Sequence, residues 1–153
     1  MRSRLLNIAR ERGEDFQFVL TQYANERLLF RIATSPHRDR FILKGASLFN
    51  VWTGVPHRAT KDVDLLGFGD PGEENIRQVF SEILTLDVPD DGIRFELDTL
   101  AVNPIRESQD SDGVRVIFYA ELAAARIRLQ VDVGFGDAVT PDAIEIDFPT
   151  LLD

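Results

Sequence analysis

Arg58-Ala59-Thr60-Lys61-Asp62-Val63-Asp64-Leu65-Leu66 sets two aspartates one residue apart within a run that reads as a β-strand. Side chains alternate along a strand, so Asp62 and Asp64 project from one face and Val63 and Leu65 from the other. Strand geometry spaces the two carboxylates by roughly 7 Å at their Cβ atoms, which suits one or two hard divalent cations. Upstream, Phe41-Ile42-Leu43 reads as a short buried strand running into the turn Lys44-Gly45-Ala46-Ser47. A helix through Leu48, Phe49 and Trp52, ending near Gly54, is expected to follow. A glycine turn feeding a helix N-terminus offers backbone N–H groups to a phosphate. A metal beside a phosphate is the chemistry of nucleotidyl transfer.

Outward from this unit the hydrophobic period assigns the rest of the chain. Leu5, Leu6, Ile8 and Ala9 begin a helical apolar face that breaks at Arg12-Gly13. A longer amphipathic helix opens at Glu14-Asp15, carries Phe16, Val19, Leu20, Tyr23, Leu28 and Ile32, and stops at Ser35-Pro36. Val63 to Phe68 is the second strand, closed by Gly69-Asp70-Pro71-Gly72, and Glu73 to Leu86 is a further amphipathic helix.

After Pro89-Asp90-Asp91-Gly92 the period changes from helix to strand. Phe95, Leu97 and Thr99 alternate with Glu96 and Asp98. Val114, Val116, Phe118 and Ala120 alternate with polar neighbours, as do Ile127, Leu129, Val131 and Val133. A last short strand is expected from Ile144 to Phe148. Helices, then a strand–helix–strand unit, then several strands imply an α+β fold with a mixed sheet flanked by helices. Residues 1–40 form an N-terminal helical segment packed on a core of residues 41–153.

The chain has 153 residues, 44% of them hydrophobic, enough for one domain with a real core. No apolar run approaches the roughly 18 residues of a membrane span, and no signal-peptide pattern opens the chain. The absence of cysteine removes disulfides, thiolate metal sites and thiol nucleophiles. A cytoplasmic location and no membrane partner are the expectation. The net charge of −9 is uneven: residues 1–61 hold eleven Lys/Arg against five Asp/Glu, and residues 62–153 hold six against 21. This pattern suits a metal-binding core beside a rim that faces a polyanion, and equally the solvated faces of ordinary elements. Lys44 and Lys61 are the only lysines.

A two-metal site needs a third carboxylate, and Asp132 is the best candidate. It lies on the polar side of its strand with Arg126, Arg128 and Gln130. If that strand neighbours the Asp62/Asp64 strand, three acids converge. Asp137 is the weaker rival. Every available ligand is oxygen, which favours magnesium (Mg2+). Thr60 can reach a phosphate oxygen and Arg58 can clamp a phosphate. His37 and His57, each beside a proline, read as loop residues. No Gly-x-x-x-x-Gly-Lys-Ser/Thr loop and no Gly-x-Gly-x-x-Gly fingerprint is present.

The combination of Phe41-Ile42-Leu43-Lys44-Gly45-Ala46-Ser47-Leu48-Phe49 with Arg58-x-Thr60-x-Asp62-Val63-Asp64-Leu65 resembles the AbiEii/AbiGii-type nucleotidyltransferase toxins. These belong to the polymerase-β-like nucleotidyltransferase superfamily. The resemblance extends to Gly13-Glu14-Asp15-Phe16, Glu26-Arg27-Leu28-Leu29 and Val131-Asp132-Val133. It implies that Asp62, Asp64 and Asp132 are metal-binding and catalytic. It places Lys44, Gly45 and Ser47, with Arg58 and Thr60, at the nucleotide. It implies an NTP substrate, a nucleic-acid acceptor (tRNA foremost, or another RNA) and a cognate antitoxin. Family members continue into a C-terminal helical domain carrying a Lys and a Lys-Asp motif, and this region is expected to be absent from residues 1–153. Two other readings of the same residues are a catalytically silent module that binds a nucleotide or an antitoxin, and a metal-dependent phosphodiesterase.

Overall fold

The computed structural model describes residues 2–44, 62–108 and 111–135. Helix α1 (Arg2–Arg12) leads into α2 (Phe16–Thr34), and a 3-10 turn (Arg38–Arg40) enters strand β1 (Phe41–Lys44). Strand β2 (Val63–Gly67), helix α3 (Glu73–Leu84) and strands β3 (Ile93–Ser108), β4 (Ser111–Leu122) and β5 (Ala125–Phe135) follow. The expected helix through Trp52 and the strand from Ile144 lie outside the described residues, as does Asp137.

The break at Gly13 has a clear cause. Gly13 takes a left-handed φ of +65°. Its N–H donates to the Arg10 carbonyl at 3.4 Å, and the Glu14 N–H donates to Ala9 at 2.9 Å. That is the Schellman arrangement, which satisfies the last carbonyls of a helix and favours glycine at the turn. Helix α2 starts with Asp15 as its N-cap, so Glu14 and Asp15 precede the first turn and do not lie within it.

The five strands form one mixed sheet in the order β1-β2-β5-β4-β3. β1 runs antiparallel to β2, β2 parallel to β5, and β5–β4 and β4–β3 are antiparallel. The architecture is α+β, as the sequence implies. Val63 and Leu65 of β2 are buried with Leu129, Val131 and Val133 of β5 and Val114, Val116 and Phe118 of β4. Against this apolar face lie α2, with Leu20 and Leu28, and α3, with Ile76, Phe80 and Ile83. Phe80 meets Phe41 edge-on at 5.8 Å, and Phe95 meets Phe118 at 5.7 Å. Each fully buried side chain of this size contributes about 1.5–3 kcal/mol.

Strand β3 departs from the simple alternation. Phe95 is buried, but Leu97 is 41% exposed and the buried positions resume at Leu100 and Val102. The pairing with β4 slips between Glu96 and Ala101. The Thr99 hydroxyl stabilises this bulge: it donates to the Glu96 carbonyl at 2.6 Å and accepts the Tyr119 N–H at 2.9 Å. Extra residues in a bulge invert which side chains face the core.

A buried ionic knot ties α2 to the segment before β3. The Asp91 carboxylate accepts from Arg27 Nε at 2.9 Å and Arg31 Nη2 at 3.3 Å, while the Tyr23 hydroxyl donates to the Asp91 carbonyl at 2.7 Å. Burial, and next the charge of Asp91, raise the Tyr23 phenol above its ordinary pKa, with Arg27 opposing. His37, read as a loop residue, sits in the turn after α2 and pairs through Nε2 with Glu82 of α3. No described helix is long and apolar enough to cross a membrane.

Candidate active site

A single polar row crosses the whole sheet. Lys44 of β1 is the register partner of Asp64 on β2, and Asp64 is the partner of Asp132 on β5. Asp132 is the partner of Arg115 on β4, and Arg115 of Asn103 on β3. Register partners share a face, so Asp64, Asp132, Arg115 and Asn103 stand on the side opposite the helices. The reason is local: Val63 and Leu65, Val131 and Val133, and Val114 and Val116 all turn into the core, which forces the intervening residues outward.

Parallel neighbours stand about 4.8 Å apart in the backbone, so the Asp64 and Asp132 side chains start from adjacent positions. Both are half-buried. Asp62 immediately precedes β2, is exposed, and lies on the same side two residues before Asp64. Asp64 and Asp132 thus start from adjacent positions on one sheet face with Asp62 two residues away, but the three acids do not close into a metal-holding group.

Two further side chains organise them. Arg115 grips Asp132 with a two-pronged bond, Nε to Oδ1 at 2.9 Å and Nη2 to Oδ2 at 3.1 Å. Gln130 sits between two of the acids, its Nε2 lying 3.4 Å from Asp62 Oδ2 and from both oxygens of Asp132. Arg128 Nη2 donates to Gln130 Oε1 at 3.2 Å and so fixes which end of the amide faces the carboxylates. Sequence reasoning placed Gln130 and Arg128 on this face but gave neither a role, and it missed Arg115. The period of β4 turns Arg115 outward, yet its partner depends on register, which no local signal carries.

Among the described residues no three acidic or histidine side chains are drawn together as a metal-holding cluster. Asp132 directs both oxygens to Arg115 and Gln130. The donor set itself fits a hard cation, since Asp62, Asp64 and Asp132 supply only carboxylate oxygen. Lys44 is placed by its backbone at the end of β1, beside Asp64. Gly45, Ser47, Arg58 and Thr60, the expected nucleotide-binding residues, lie outside the described residues.

The model of the AbiEii family, described as a nucleotidyl transferase toxin of a type IV toxin–antitoxin system, matches residues 27–153. The chain belongs to this family. The AbiEii match takes in all three aspartates and Gly45. Two solved structures share the fold. One is a candidate nucleotidyltransferase from H. pylori, with a TM-score of 0.54 at 12% identity, covering 88% of this chain and 52% of its own. The other is JHP933 from Helicobacter pylori, with a TM-score of 0.51 at 14% identity, covering 84% of this chain and 50% of its own. The AbiEii chain described here thus spans about half the length of these solved relatives. A comparison with curated proteins found no match.

Proposed function

We propose that this chain is the core of a Mg2+-dependent nucleotidyltransferase that moves NMP from an NTP to a nucleic-acid hydroxyl, with tRNA as the acceptor. It acts as the toxin of a pair with a cognate antitoxin, in the cytoplasm. The observation that carries the reading is the register pairing of Asp64 with Asp132, with Asp62 beside them on the same sheet face. Membership of the AbiEii family supports it.

In this reading Asp62, Asp64 and Asp132 hold divalent metal. When bound, the metal supplies charge neutralisation at the triphosphate and activation of the acceptor hydroxyl. The chain's own residues do the positioning. β2 and β5 set the carboxylates at fixed spacing, and Arg115 fixes the plane of Asp132. Lys44, Gly45 and Ser47, with Arg58 and Thr60, receive the phosphates. Residues 41–153 form the core and residues 1–40 brace it through α2.

The test is label transfer from each α-labelled NTP to total tRNA with Mg2+, beside Asp62→Asn and Asp64→Asn. It is run on this chain and on a form carrying a family C-terminal region. Label that depends on both aspartates supports the reading. NTP binding without transfer in both forms supports instead a silent nucleotide- or antitoxin-binding module. Cleavage of labelled RNA without NTP marks a phosphodiesterase.

A further inference from the structure

We propose that Arg115 and Gln130 are positioning residues for Asp132 and Asp62, with Arg115 orienting Asp132 while weakening the hold of Asp62, Asp64 and Asp132 on a divalent cation. The inference rests on the reading of Asp62, Asp64 and Asp132 as metal ligands.

The geometry is that of a held carboxylate. Arg115 and Asp132 are direct partners on adjacent antiparallel strands, so the backbone already brings them together. The fork of 2.9 and 3.1 Å fixes the carboxylate plane, which a single bond leaves free to rotate. A carboxylate has about four lone-pair sites, so the fork leaves room for a cation on the same group. A guanidinium beside a cation repels it, and Arg115 is 41% exposed along its side chain, so solvent moderates the repulsion without removing it. Gln130 acts differently. It is only 9% exposed, and its neutral amide spaces Asp62 from Asp132 without adding charge. Arg128 holds it in that orientation.

An ordinary structural ion pair makes a different prediction. Its loss lowers melting temperature equally with and without metal and leaves the metal midpoint in place. A positioning role separates the two.

The experiment measures Mg2+ and Mn2+ binding by calorimetry, melting with and without Mg2+, and turnover, all in the full-length protein. Arg115→Gln is expected to bind the cation about three- to tenfold more tightly. It should also melt lower without metal and gain more from metal than wild type does. Arg115→Lys keeps the charge and loses the fork. It should keep a near wild-type midpoint while kcat falls roughly tenfold, with KM for the NTP little changed. Arg94→Gln, an exposed arginine on the same face, should change none of these. An Arg115→Gln midpoint equal to or weaker than wild type overturns the proposal. If Arg115→Gln does not fold, wild-type kcat in Arg115→Lys overturns it. A cation isotherm that Asp64→Asn leaves untouched removes the underlying site reading, which the Arg115 variants alone do not.

Discussion

Asp64 of β2 and Asp132 of β5 are register partners across the one parallel strand pair among the described residues, although 68 positions separate them in the chain. A parallel pair needs a long crossover, so the intervening α3, β3 and β4 serve to return the chain beside β2 with Asp132 level with Asp64. An aspartate one position either way on β5 points into the apolar core. The site therefore depends on register, and register depends on the valine pairs beneath it.

Gly67 ends β2 against the Val133 and Phe135 side chains of β5. A Cβ there meets Val133 Cγ1 at 2.6 Å and Phe135 Cε1 at 2.7 Å. Gly67→Ala should destabilise the fold by about 1–3 kcal/mol through overpacking, measured by urea denaturation. Because the strain falls at the β2–β5 pair, cation binding should weaken as well.

The Asp91 knot is almost dry, with Asp91 and Arg31 side chains 7% and 8% exposed. Asp91→Ala leaves two arginines near apolar surface without their counter-charge and should cost about 3–5 kcal/mol. Arg94→Ala, which removes the exposed pair with Glu121, should stay within about 0.5 kcal/mol. Paired denaturation curves check both.

Tyr23 sets a pH limit. Its folded pKa lies above the unfolded value of about 10. The phenol's contribution is thus fully present below pH 10 and is lost as pH rises through the folded pKa. Tyr23→Phe should lose about 1 kcal/mol at pH 7 with the bond to the Asp91 carbonyl. Its stability should then fall less steeply than wild type above pH 10, as denaturation at several pH values will read.

The β4–β5 hairpin turns on Ala123 and Ala124, with φ of 52° and 66°. Two left-handed residues mark a type I′ turn, which favours Asn-Gly. Replacing them by Ala123→Asn and Ala124→Gly should stabilise the protein by about 1 kcal/mol, since the left-handed region penalises alanine. A raised melting temperature with unchanged cation binding is the expected result.

Much of this was legible in the residues. Helix ends at Gly13 and Ser35 and the core face of β4 and β5 follow from local chemistry and period. So does the common face of Asp62 and Asp64. Partners were not legible, because pairing is a property of the whole sheet. The sequence places Arg115 on a polar face but cannot say that Asp132 stands opposite. Leu97 reads as a core residue by alternation, and only the bulge closed by Thr99 turns it outward. Asp91 reads as a turn residue, because the arginines that bury it come from α2, some sixty residues earlier.

The most direct test of the account is Mg2+ binding to wild type, Asp64→Asn and Asp132→Asn, with α-labelled NTP transfer to tRNA measured on the same preparations. Each substitution is expected to abolish saturable cation binding and transfer while the metal-free protein still unfolds in one cooperative transition. Wild-type cation binding and transfer in either variant would contradict it.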